Sequence, residues 1–122
     1  MFNYYFCTET VKGYLKDKNH KILDYGCGSG AFLRYTCKRG YKTSGYEPIN
    51  KTNDERISSS MGTFKNKMFD CITLWHVLEH TENPVSVMNK LKGKLKSNGT
   101  MLVALPNYDS YDNIYYLSLI HI

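Results

Sequence analysis

The segment Lys21-Ile22-Leu23-Asp24-Tyr25-Gly26-Cys27-Gly28-Ser29-Gly30 brings an apolar run onto a carboxylate and then opens into glycines at alternate positions. Glycine takes positive φ and lets a backbone approach a ligand that a Cβ would hold away. A strand ending in such a turn, with a helix starting at Ala31, is how an α/β sheet receives a nucleotide-like ligand. Glu47, just before Pro48, stands where a second strand should end, the position from which an acid accepts hydrogen bonds from two ribose hydroxyls. Plainer readings exist for both acids: Asp24 could simply end a strand, and Glu47 could face solvent in a turn. A carboxylate as deep as Asp24 would nevertheless be costly without a partner. Farther along, His76-Val77-Leu78-Glu79-His80 supplies imidazoles that titrate near neutral pH, so His76 or His80 could act as a general base.

These residues need elements to hold them. The pattern predicts a helix over Tyr4–Lys16, a strand over Ile22–Tyr25, a helix over Ala31–Lys38 and a strand over Lys42–Tyr46. Gly40 stands at the C-cap position of that second helix. Between Asn50 and Lys67 the chain is polar, Ser58–Gly62 reads as loop, and no third strand is evident. Phe69–Trp75 is the clearest strand, being β-branched and aromatic. Pro84 opens a helix to Lys96 with Val87, Met88, Leu91 and Leu95 on one stripe. Asn98-Gly99 ends it, and Thr100–Leu105 is a buried strand stopped by Pro106. Strands alternating with helices imply a parallel sheet wound on both faces. In such sheets ligands sit at the carboxyl ends of the strands, where the glycine loop, Glu47 and Trp75–His80 all fall.

Composition narrows the class. The chain has 122 residues, 42% of them hydrophobic, which suits one small domain with one core. It shows no apolar stretch approaching the roughly 20 residues of a membrane helix and no signal-peptide pattern. Cys7, Cys27, Cys37 and Cys71 lack C-x-x-C or zinc-finger spacing and read as reduced thiols of a cytoplasmic protein. A net charge of +5 would suit an acidic partner. The lysines are dispersed, however, and do not interleave with aromatics, so nucleic acid is disfavoured.

Taken in order, Asp24-x-Gly26-x-Gly28-x-Gly30, Glu47-Pro48, Phe69-Asp70, Leu78-Glu79-His80 and Pro106-Asn107 resemble the class I S-adenosylmethionine-dependent methyltransferases. The resemblance is to the branch that includes ubiquinone-biosynthesis O-methyltransferases, and it covers Lys21 to Asn107. It implies a Rossmann-like, doubly wound, mostly parallel sheet and S-adenosyl-L-methionine as cofactor. Asp24, Gly26, Gly28, Gly30 and Glu47 would hold that cofactor, with Trp75 and His76 beside its methionine moiety and methyl group. The acceptor would be a small molecule or biopolymer with an O, N or C nucleophile. Residues 1–107 would form the domain, leaving 108–122 as a tail, truncated or non-native. The family fold continues past its fifth strand with a helix and two strands, one of them antiparallel. Leu117–Ile122 does not continue the family pattern, so the sheet is expected to be incomplete at the C-terminus. Thr100–Leu105 would then be an open edge, and the chain alone would be marginally stable or self-associating, with little activity.

Three rival readings remain. His76-Val77-Leu78-Glu79-His80 fits H-x-x-E-H, a zinc-peptidase pattern, provided His76 and His80 share a helix face; no third acidic ligand is evident, and no metal is expected. An NAD-dependent oxidoreductase would use the same sheet and ribose acid, but G-x-G-x-G is not G-x-G-x-x-G. A non-catalytic nucleotide-binding fragment would bind the cofactor without methyl transfer.

Overall fold

The computed structural model describes residues 12, 13, 15, 17–106 and 115–121. Six strands form one sheet: β1 (Lys21–Tyr25), β2 (Lys42–Tyr46), β3 (Ile57–Ser58), β4 (Phe69–Trp75), β5 (Leu95–Pro106) and β6 (Tyr115–His121). Their order is β3-β2-β1-β4-β5-β6. The first five run parallel, and β6 pairs antiparallel with β5. The strand order reverses beside β1, so the loops after β1 and β4 open side by side.

Alternation along the strands divides the core between two faces. Ile22 and Cys71 point toward helix α1 (Ala31–Lys38), where they join Leu15, Phe32, Tyr41 and Leu102. Leu23, Ile72, Leu74, Met101 and Val103 point to the other face, together with Leu91 of helix α2 (Pro84–Lys94). α1 ends at Lys38, and Gly40 at φ 92 donates its N–H to Cys37 O at 3.0 Å, closing the helix as its sequence predicts. α2 starts with Asn83 as N-cap, its side chain accepting from Ser86 N, and with Pro84 in the first turn.

Leu91 is the one fully buried residue of α2, at 0% exposure, and Val87 and Met88 pack against the same cluster. Leu91→Ala is expected to cost about 2–5 kcal/mol, read as a lower urea midpoint at unchanged slope.

Three expectations need correction. A third strand does exist: Ile57–Ser58 pairs with Gly45–Tyr46. Two residues give no periodicity to read, and what fixes it is tertiary, since Gly45 N donates to Arg56 O and Glu47 N to Ser58 O. Met61–Thr63, at the end of the loop expected over Ser58–Gly62, forms a 3-10 turn capped by Ser60. α2 stops at Lys94 because Leu95, at φ −83 and ψ 144, is drawn into pairing with Phe69. Between the Phe69–Leu95 and Cys71–Thr100 pairs, four residues of β5, Lys96 to Gly99, stand against the single Asp70 of β4, so the predicted Asn98-Gly99 break survives as an irregularity inside β5.

The largest correction concerns the C-terminal side. β5 is not an open edge: from Thr100 to Pro106 it pairs residue by residue with His121 to Tyr115. The open edge expected at Thr100–Leu105 is covered, and the sheet ends at β6 instead. Tyr-Tyr-Leu-Ser-Leu-Ile-His carries no motif, yet it is rich in strand formers. The helix expected over Tyr4–Lys16 falls largely outside the described residues, where Lys12 and Gly13 are helical and Leu15 is buried. Cys7 and Asn107 also lie outside them. Among the described residues no helix is long and apolar enough to cross a membrane.

Candidate functional site

The glycine loop leaves β1 between the ends of β2 and β4. Gly26 N and Cys27 N both donate to Tyr46 O, at 2.8 and 3.0 Å, fastening the loop to the end of β2. Gly30 N returns to Cys27 O at 3.0 Å, and Gly30 O accepts from Arg34 N, so the turn runs directly into α1. Gly26, Gly28 and Gly30 have φ of 78, 58 and 89, all in the left-handed region. Their surroundings differ. A Cβ on Gly26 would come within 2.6 Å of Val77 Cγ2, and one on Gly30 within 2.8 Å of Ile57 Cδ1. One on Gly28 would meet nothing within 4 Å. Gly28 is therefore the position where the loop opens onto free space.

Glu47 reaches that same position. Its Oε1 accepts from Gly28 N at 3.0 Å and its Oε2 from Ile49 N at 3.3 Å. Glu47 is thus tied by both carboxylate oxygens, one to the glycine loop and one to its own turn. At the ends of β1 and β2 the rings of Tyr25 and Tyr46 stack at 4.8 Å.

Asp24 lies deeper, at 3% exposure, with Oδ1 accepting from Thr73 Oγ1 at 2.9 Å. Among the described residues it has no ion-pair partner. Desolvation therefore dominates over the Thr73 hydrogen bond and raises its pKa from 3.8 to about 7. Thr73 was not singled out from the sequence. The signal that could have found it is register, because Asp24 and Thr73 are direct partners across β1 and β4. Cys27 is half-buried, and its thiol is pushed up to about 12, first by desolvation and then by the charges of Asp24 and Glu47. It is a neutral wall of the site and not a nucleophile.

Trp75 ends β4 and packs edge-on against Phe32 of α1 at 5.3 Å, on the same sheet face as Asp24 and Thr73. His76 follows at φ 57, an unusual conformation for a residue with a Cβ, held by its N–H donating to Ala104 O at 3.0 Å. This turn carries Val77 against Gly26. Glu79 Oε1 lies 3.6 Å from His76 Nδ1 and 3.8 Å from His80 Nε2. The two histidines differ in access: the side chain of His76 is 20% exposed and that of His80 is 79% exposed. Leu78–His80 is a 3-10 turn, so the shared helix face that the zinc-peptidase pattern needs is missing. Among the described residues no group of three or more His, Cys, Asp or Glu is arranged to hold a metal ion. The structure thus gathers Asp24, Gly26, Gly28, Gly30, Glu47, Trp75 and His76 at the carboxyl ends of β1, β2 and β4, and turns His80 outward.

A family model described as a methyltransferase domain matches residues 2–121. Uncharacterized protein MJ0638 of Methanocaldococcus jannaschii is 30% identical over 109 residues, covering 82% of this chain and 47% of that protein. The mitochondrial ubiquinone biosynthesis O-methyltransferase of Schizosaccharomyces pombe is 28% identical over 116 residues, covering 81% and 42%. Among solved structures, a Burkholderia thailandensis 1,6-didemethyltoxoflavin-N1-methyltransferase with bound S-adenosylhomocysteine superposes with a TM-score of 0.74 at 13% identity. That match covers 94% of this chain and 60% of the other. The chain spans less than half the length of these two curated relatives.

Proposed function

This chain belongs to the methyltransferase domain family, and we propose that it binds S-adenosyl-L-methionine in the glycine loop and serves methyl transfer to an O, N or C nucleophile. The observation that carries the reading is Glu47, whose carboxylate lies 3.0 Å from Gly28 N at the point where the loop faces open space. The residues present suit the cofactor. Gly28 leaves room for a close backbone approach, Glu47 can accept from two ribose hydroxyls, and Asp24 is a buried acid with no cation beside it among the described residues. When bound, S-adenosyl-L-methionine supplies an electrophilic methyl group on a sulfonium.

The chain's own residues then bind, orient and exclude water. Glu47 fixes the sugar and with it the reach of the methionine half. Asp24, once ionised, offers negative charge toward the cationic end. Trp75 and the wall formed by Cys27 keep water from the reacting centre. Of the two histidines, His76 is the better placed to take a proton from an acceptor, since it sits in the turn that packs on Gly26, and Glu79 at 3.6 Å steadies its ring. His80 is too exposed to be held in one orientation. The methyl acceptor, small molecule or biopolymer, would approach this turn. Relatives named ubiquinone biosynthesis O-methyltransferase favour an oxygen nucleophile.

Calorimetry with S-adenosylhomocysteine is expected to give a single site that NAD does not compete for. Glu47→Ala removes a charged acceptor worth about 1.5–3 kcal/mol, so affinity should fall roughly 10- to 150-fold. Competition by NAD at similar concentration, or parental affinity in the variant, would sink this reading.

A further inference from the structure

The amino-terminal ends of the strands, opposite the glycine loop, carry a second concentration of charge. Lys21, Lys65, Lys67 and Lys96 line one cavity of about 340 Å³, with Asn66 beside them and no acid in the lining. These lysines come from separate parts of the chain and are brought together by specific contacts. Asp70 Oδ2, on β4, accepts both from Lys21 N at 2.8 Å and from Lys96 Nζ at 3.3 Å, which ties the starts of β1 and β5 to the strand between them. The segment carrying Lys65 and Lys67 is pinned to the end of α2, with Lys67 N donating to Gly93 O at 3.0 Å and Met68 N to Lys94 O at 2.9 Å. Phe64 anchors it from below at 6% exposure, and Lys67 itself sits at φ 52.

The Asp70 carboxylate is thereby spent on Lys96 and a backbone amide. Lys21, Lys65 and Lys67 are exposed, and their ammonium groups have no acidic partner among the described residues. Three uncompensated cations held around one cavity repel one another, and an anion carrying several charges in a small volume relieves that repulsion. Ammonium groups act on phosphates as compact point charges that need no fixed planar geometry. A single carboxylate would neutralise only one of them.

We propose that this cavity is a binding site for a condensed phosphate group, separate from the glycine loop. The length of β1, five residues or about 16 Å, stands between the two. The inference does not depend on the methyltransferase reading.

The test is titration of the protein with inorganic triphosphate, followed by amide shifts in ¹H–¹⁵N spectra. Saturable shifts are expected at Lys65–Met68 and Lys96, with the glycine loop unmoved. The double variant Lys65→Gln/Lys67→Gln, both residues exposed, should lose about tenfold in affinity. Lys38→Gln/Lys51→Gln makes the same change in net charge outside the cavity and should bind as the parent does. Equal losses in the two variants would mean bulk charge attraction and overturn the proposal. So would the lack of a saturable shift, or equal binding of sulfate at the same concentration.

Discussion

Gly28→Ala should cost the fold backbone strain alone while weakening cofactor binding, whereas Gly26→Ala should destabilise the protein further by crowding. Both residues are left-handed, with φ of 58 and 78, so either alanine carries strain of about 1–2 kcal/mol. The difference lies in what the new methyl meets. At position 28 nothing lies within 4 Å, so strain is the whole folding cost, and the methyl enters the space assigned to the cofactor. Displacing that ligand by one methyl should cost about 1–3 kcal/mol of binding, roughly 5- to 150-fold. At position 26 the methyl would lie 2.6 and 3.0 Å from the two γ carbons of Val77, adding about 1–3 kcal/mol of overpacking. Val77→Ala removes both γ carbons and leaves Cβ at 3.4 Å, an ordinary contact. Gly26→Ala combined with Val77→Ala should therefore be more stable than the two single changes added together, by the overpacking part alone. Urea midpoints and S-adenosylhomocysteine calorimetry on the four variants check this. Parental cofactor affinity in Gly28→Ala would show that the loop opens onto something other than the ligand site.

Asp24 should make the protein less stable as pH rises from about 4 to about 7. Its carboxyl titrates at 3.8 ordinarily and at about 7 in the fold, with desolvation as the cause. Between those values the folded state holds a proton that the unfolded state has lost, so stability falls with rising pH and levels off above about 7. A shift of this size corresponds to at most about 4 kcal/mol across the window. Asp54 has the opposite slope, its carboxyl being lowered to about 2 by the Arg56 side chain, but that effect is confined to pH below about 4. Asp24→Asn keeps a group able to accept from Thr73 and cannot ionise. It should remove the slope between pH 4 and 7 and leave the variant more stable than the parent at pH 8. In exchange it should hold S-adenosyl-L-methionine less tightly at that pH, because the negative charge facing a cationic ligand is gone. Urea unfolding across pH measures the first effect and calorimetry the second. A variant that retains the parent's slope would remove Asp24 as its source.

Local sequence alone determined most of the frame. α1 over Ala31–Lys38, β2 over Lys42–Tyr46 and β4 over Phe69–Trp75 have the same bounds in the sequence reading and in the structure. Each is marked by strong signals within its own span: the glycine before a helix, the glycine after it, a β-branched run. The left-handed turns at Gly26, Gly28 and Gly30 and the placing of Asp24 and Glu47 at strand ends were legible for the same reason, since loop glycines and strand ends follow backbone geometry that neighbours in sequence dictate.

What only the tertiary structure decided are the features set by distant partners. β3 is two residues long and exists because Gly45 and Glu47 reach across to Arg56 and Ser58. β6 is a strand because β5 offers it an unpaired edge, and no motif in Tyr115–His121 announces that. Whether His76 or His80 faces the site was undecidable from a five-residue pattern that fits both a helix and a turn. Pairing of His76 N with Ala104 O forces the left-handed turn that turns one histidine in and the other out. The raised pKa of Asp24 likewise follows from strand register and burial, because a carboxylate's charge is governed by what surrounds it in space.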